Sequence, residues 1–153
     1  MILLQDLLLE IGDSSPYKFT FKDIDPNWIS MFYFTTKSGL KYELTISVED
    51  INGQPTAIAN FDVLPENPED YKSGDEEHKL TNRFETLSVM ATVQEAMKMI
   101  LKKNKAIKTL QFSAKQEDEG DERRKNIYLA YIKRAYPGAE VTQNGKDTIV
   151  KLK

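Results

Sequence analysis

FETLSVMATVQEAMKMILKKN (Phe84–Asn104), IKTLQFSAK (Ile107–Lys115) and DERRKNIYLAYIKRAY (Asp121–Tyr136) decide how this chain folds. In the first segment Val89, Val93, Ala96, Met97, Ile100 and Leu101 recur at three- and four-residue spacing. That spacing predicts one buried face of an α-helix. Lys98, Lys102 and Lys103 fall off that face, and lysines in a last turn complement the helix dipole. Of the methionines, Met97 reads as core filler and Met99 as its flank. Asn104 suits the left-handed residue that often ends a helix.

The second segment is a short strand through Ile107, Leu110, Phe112 and Ala114. Lying between two helical segments, it reads as a central strand of a βαβ-like unit. The third is a helix whose inward face holds Ile127, Tyr128, Tyr131, Ile132, Ala135 and Tyr136, stopped by Pro137-Gly138.

Upstream, the periodicity changes from helical to alternating. YKFTF (Tyr17–Phe21), ISMFYFTT (Ile29–Thr36), LKYELTISV (Leu40–Val48) and TAIANFDVL (Thr56–Leu64) read as strands. In the third, Leu40, Tyr42, Leu44, Ile46 and Val48 alternate strictly with mostly polar neighbours. Lys37-Ser38-Gly39 and Asn52-Gly53 mark hairpin turns. Residues 17–64 therefore read as an antiparallel meander. Downstream, AEVTQNGKDTIVKL places Asn144-Gly145 between two short β runs, a closing hairpin. The N-terminal MILLQDLLLEIG is a first strand or helix. Asp6 and Glu10 interrupt it and no basic region precedes it, so it does not read as a signal peptide or a membrane span.

The expected class is α+β, and 153 residues suit a single domain, 1–153. Net charge is −3, so direct nucleic-acid binding is not expected. No cysteine is present, which removes disulfides, thiol nucleophiles and thiolate metal sites.

Little in the chain carries chemistry. Acids crowd residues 62–77 and 117–122, but without the alternating spacing and central glycine of a calcium loop. They read as solvated runs, or as a docking surface for a basic partner. The single histidine, His78, stands beside Glu76 and Glu77 with no serine or cysteine motif to serve. No catalytic, cofactor or metal residue is assigned from spacing. Trp28, the only tryptophan, begins a strand and reads as an anchor in the core or at the meander edge, with a binding hot spot as the alternative. Tyr17 and Tyr71 are further exposed-aromatic candidates. Arg123 and Arg124 open the last helix, where positive charge opposes the dipole. They read as salt-bridged to Glu119, Asp121 and Glu122, or as binders of phosphate or an acidic partner.

The order meander, helix, strand, helix, hairpin resembles the C-terminal two-thirds of the GNAT acetyltransferase fold. The resemblance implies an acetyl-CoA helix at Ser88–Lys103, a splayed strand at IKTLQFSA, and Tyr128 as the tyrosine that protonates the departing thiolate. The family's Gln/Arg-x-x-Gly-x-Gly/Ala turn is absent. Leu80–Thr86 (LTNRFET) holds no glycine, and Glu85 would repel a pyrophosphate. The resemblance thus implies the architecture without the cofactor.

Phe84-Glu85-Thr86-Leu87 with Ala91-Thr92-Val93, then Ile107–Ala114, then Arg124–Tyr128 is also similar to short uncharacterised proteins of tailed phages. That likeness covers residues 84–138. It implies a phage setting: a virion component, or a host-directed factor in the host cytoplasm. The missing glycine turn, the lack of a catalytic constellation and the acidic loops lead us to expect a protein that works by binding another protein, without an enzyme's activity. An acyl-CoA-dependent N-acetyltransferase with a degenerate cofactor loop is the alternative. No cofactor and no membrane partner are expected, and an unpaired edge of the meander could pair with a second copy.

Overall fold

In the computed structural model, residues 15–22, 24–64, 83–114, 122–145 and 147–152 are described, with helix side chains from Leu87 and Leu129 onward. Seven strands form one mixed sheet: β1 (Phe19–Lys22), β2 (Ile29–Thr35), β3 (Lys41–Ile51), β4 (Gln54–Leu64), β5 (Thr109–Ala114), β6 (Glu140–Asn144) and β7 (Asp147–Lys151). Helix α1 (Arg83–Lys103) links β4 to β5, and α2 (Glu122–Ala135) links β5 to β6. The sheet order is β1-β2-β3-β4-β5-β7-β6. Among the described strands only β4 and β5 pair in parallel. A parallel pair needs a long crossover, and α1 supplies it.

The alternation in β3 fixes the register of the meander. Tyr42, Leu44 and Ile46 are buried, while Glu43, Thr45 and Ser47 face the other side. Leu44 pairs across with Phe32 on β2 and Phe61 on β4. A slip of one residue would turn this whole set out of the core, so the apolar pattern admits one register. Small Ala57 and Ala59 on β4 alternate across the layer with large Phe32, Leu44 and Ile46. Such mixing of sizes lets a sheet and a helix interdigitate. Leu110, Phe112 and Val150 continue the layer through β5 and β7, and Tyr131 and Ile132 of α2 join it. One face of the sheet thus packs on helices. Each fully buried Leu, Ile or Phe side chain stabilises by about 1.5–3 kcal/mol relative to exposure.

The turns follow their residues. Asn52 (φ 53°) and Gly53 (φ 78°) are both left-handed, as a tight two-residue hairpin requires. In the closing hairpin Asn144 pairs with Asp147, so the left-handed residue is Gly145 and Asn144 stays in the strand. The expected hairpin is present, with Asn144 paired in its first strand.

Four expectations are corrected. Asn104 is not left-handed. Its side chain instead holds the loop before β2, donating from Nδ2 to the Pro26 carbonyl (2.9 Å) and Asn27 Oδ1 (3.2 Å), and accepting from the Ala106 amide on Oδ1. Ala135 is exposed, because the inward face of α2 narrows in its last turn to Tyr131, Ile132 and half-buried Tyr136. Helix α1 is buried on more than one face: Leu87, Met90, Ala91, Thr92 and Gln94 join the expected stripe. Thr92 tolerates this because its hydroxyl donates to the Ser88 carbonyl (2.7 Å) and accepts from the Tyr17 amide (2.8 Å). Finally, over the described residues of β5, the strand is not splayed from β4. The two pair one-to-one from Thr56↔Thr109 to Phe61↔Ala114, with no bulge to part them.

Candidate functional site

Trp28 sits in the turn between β1 and β2, and every local backbone contact holds it there. The Asn27 amide donates to Asp25 Oδ1 (2.9 Å) and the Trp28 amide to the Asp25 carbonyl (3.2 Å). This is an Asx-type turn, the use to which short acidic side chains are commonly put. Fully buried Ser30 braces it, its hydroxyl accepting from the Asp25 amide and donating to the Asp25 carbonyl. The Trp28 carbonyl accepts from Val48 on β3 (2.6 Å), and Asn104 ties the turn to the end of α1.

The side chain mounted on this braced backbone is 67 % exposed. The core-anchor reading of Trp28 is therefore overturned. A strand start can point either way, and here the turn places the indole outside the sheet. Ile29 and Ile51 are also exposed and lie toward the same end of the sheet, as does Phe21, which remains in edge contact with Phe32. Beside them α1 ends in exposed Lys102 and Lys103, followed by exposed Lys105 and Lys108. Ile29 and Ile51 lie on the face away from the helices and Phe21 on the helix face, so it is the Trp28 indole, with the lysines at the end of α1 beside its turn, that suits an amphipathic partner. Buried anchors with a polar rim carry most interface energy.

The other sequence candidates are not brought to this end. Tyr17 is half-buried rather than exposed, stacked on Phe34 at 6.2 Å between ring centroids. Arg123 and Arg124 lie in the first turn of α2 and Tyr128 at its middle, with side chains outside those described. Tyr71, His78 and the loop 65–79 lie outside the described residues, as do residues 1–11.

Sequence reasoning missed a polar pair where α1 meets α2. The Tyr136 hydroxyl donates to Gln94 Oε1, across 42 positions of chain. Gln94 is 4 % exposed, and its Nε2 has no partner among the described residues. Burial pushes the Tyr136 phenol well above its ordinary value, and Tyr131 adds to the shift. Tyr131 is itself raised, by burial first and by the Glu95 carboxylate second. Both phenols stay neutral near pH 7 and act as donors and packing groups. Tyr136 belongs to the apolar pattern of the last helical segment but Gln94 is polar and lies off the predicted stripe of α1, so periodicity alone gave no sign that they meet.

Among the described residues no group of three histidine, aspartate or glutamate side chains is placed to hold a metal ion. Nor is any helix there long and apolar enough to cross a membrane. Comparison with protein-family models, curated proteins and solved structures returned no match.

Proposed function

We propose that this is a non-enzymatic, phage-type protein that works by binding another protein, either in the virion or on a host component in the host cytoplasm. The observation that carries this reading is the braced, two-thirds exposed Trp28 at the lysine-rich end of the sheet. An exposed indole on a fixed backbone has little ordering entropy left to lose on binding. The occupant that fits is a protein surface with an apolar pocket and acidic rim.

The test is capture of a partner from phage-infected host extract by the wild-type protein and by Trp28→Ala. The variant should keep the wild-type melting temperature and lose the partner. Equal capture by both proteins rejects Trp28 as the anchor. Mass spectrometry of purified virions separates the virion role from the host-directed one.

A second reading has its own observation. The parallel β4–β5 pair joined through α1 fits the GNAT-like architecture, and with it an N-acetyltransferase using acyl-CoA, with Tyr128 as its acid. The unsplayed β4–β5 ladder and the glycine-free stretch before α1 weigh against it. Acetyl-CoA at about 100 times its dissociation constant would add roughly 2.7 kcal/mol. For a domain of this size that raises the melting temperature by roughly 5–10 °C. Such a shift would establish the second reading; an unchanged midpoint removes it.

A further inference from the structure

The β3–β4 hairpin runs past the point where β5 begins. β5 starts at Thr109, opposite Thr56, whereas the β3–β4 ladder continues to Ile51↔Gln54. The hairpin therefore overhangs the sheet by about 7 Å, two residues at strand rise. On the other side of β5, Lys151 of β7 lies level with Thr109, and the Leu152 amide donates to the Lys108 carbonyl at 2.8 Å. Between overhanging hairpin and closing strand lies a cleft of about 510 Å³. It opens on the face of the sheet away from the helices. Ala57, Leu110 and Val150, the next residues along β4, β5 and β7, are the ones in the core.

The lining has a definite chemistry. Lys108 and Lys151 supply two positive charges, Thr109 and Gln111 supply a hydroxyl and an amide, and Ile51 and Ile149 supply apolar wall. Among the described residues no carboxylate lines the cleft. By register, Glu140 lies across from Lys151 on β6 and Glu49 across from Thr56 on β3, both exposed at the rim. Neither lysine takes part in an ion pair among the described residues. The volume falls within the range of small-ligand pockets, about 300–1,000 Å³.

The geometry points to a binding site for a small organic anion, a phosphate or carboxylate head on an apolar body. The head sits between Lys108 and Lys151 and takes hydrogen bonds from Thr109 and Gln111. The body lies on Ile51 and Ile149. This site shares Ile51 and Lys108 with the end of the sheet that carries Trp28, but it does not require the protein-binding role of Trp28.

The probe is phenyl phosphate, titrated into isotope-labelled protein and followed by amide resonances, with inorganic phosphate and neutral benzyl alcohol in parallel. Phenyl phosphate should shift the amides of Thr109, Gln111 and Lys151 and bind more tightly than either control. The double variant Lys108→Met/Lys151→Met, both exposed positions, should melt as the wild type does and bind at least tenfold more weakly. Gln111→Ala should weaken binding without displacing it. Shifts spread over Lys98–Lys105, benzyl alcohol binding as well as phenyl phosphate, or a double variant with unchanged affinity each overturn the proposal.

Discussion

Replacing Tyr136 with phenylalanine tests the buried contact between the helices in two independent ways. At neutral pH the substitution removes the donor to Gln94 Oε1, and Gln94 Nε2 already lacks a partner among the described residues. A 4 % exposed amide with both ends unpaired should cost about 1–3 kcal/mol. The alkaline limb supplies the second test. In the unfolded chain the phenol ionises near pH 10. In the folded chain it ionises well above that, because burial and then Tyr131 hold it neutral. Between these values the unfolded state binds fewer protons than the folded one. Stability is therefore fully present below about pH 10 and is lost as pH rises toward the folded value. One such group accounts for at most about 1.4 kcal/mol per pH unit. Urea unfolding from pH 8 to 11, with slopes compared at each pH, measures the difference between wild type and Tyr136→Phe. That difference should be about 1–3 kcal/mol at pH 8 and shrink by up to about 1.4 kcal/mol between pH 10 and 11. Tyr131 is raised too, but it is present in both proteins and cancels. Adding Gln94→Met should recover most of the neutral-pH loss, since removing both partners leaves nothing unpaired. A difference that stays constant through pH 11, or one already near zero at pH 8, refutes the reasoning.

Other perturbations address the sheet and its turns. Leu44→Ala, at a fully buried position between Phe32 and Phe61, should lower stability by about 2–5 kcal/mol in denaturant unfolding, whereas Trp28→Ala should change it by under about 1 kcal/mol. Asn104→Ala removes the side chain that clasps Pro26, Asn27 and Ala106, and should cost about 1–2 kcal/mol, with faster amide exchange at Trp28 and Ala106 as the structural readout. Gly53→Ala places a Cβ at φ 78°, where space is free but the backbone is strained, and should cost about 1–2 kcal/mol without altering the fold as judged by circular dichroism.

The strand meander, the two helices and the closing hairpin were legible because each depends on local rules. Alternation in Tyr42–Ile46 and the 3.6-residue stripe from Val89 to Ile100 declare strand and helix before any partner is known. Asn52-Gly53 declares its turn because few other pairs accept two positive φ angles. Tertiary structure decided whatever depends on non-local neighbours. The single-face expectation for α1 failed because burial of Met90, Thr92 and Gln94 comes from what packs around the helix. Asn104 lost its expected left-handed role because a loop some 78 positions away offers its side chain better bonds. Trp28 could not be placed from sequence, since a residue in a turn belongs to neither face of the flanking strands. The cleft was invisible for the same reason: it joins residues from 51–56, 108–111 and 149–152, which meet only because β7 inserts between β5 and β6. Periodicity specifies which face of an element is apolar; strand order specifies which side chains share a site, and that order is set by packing over the whole sheet.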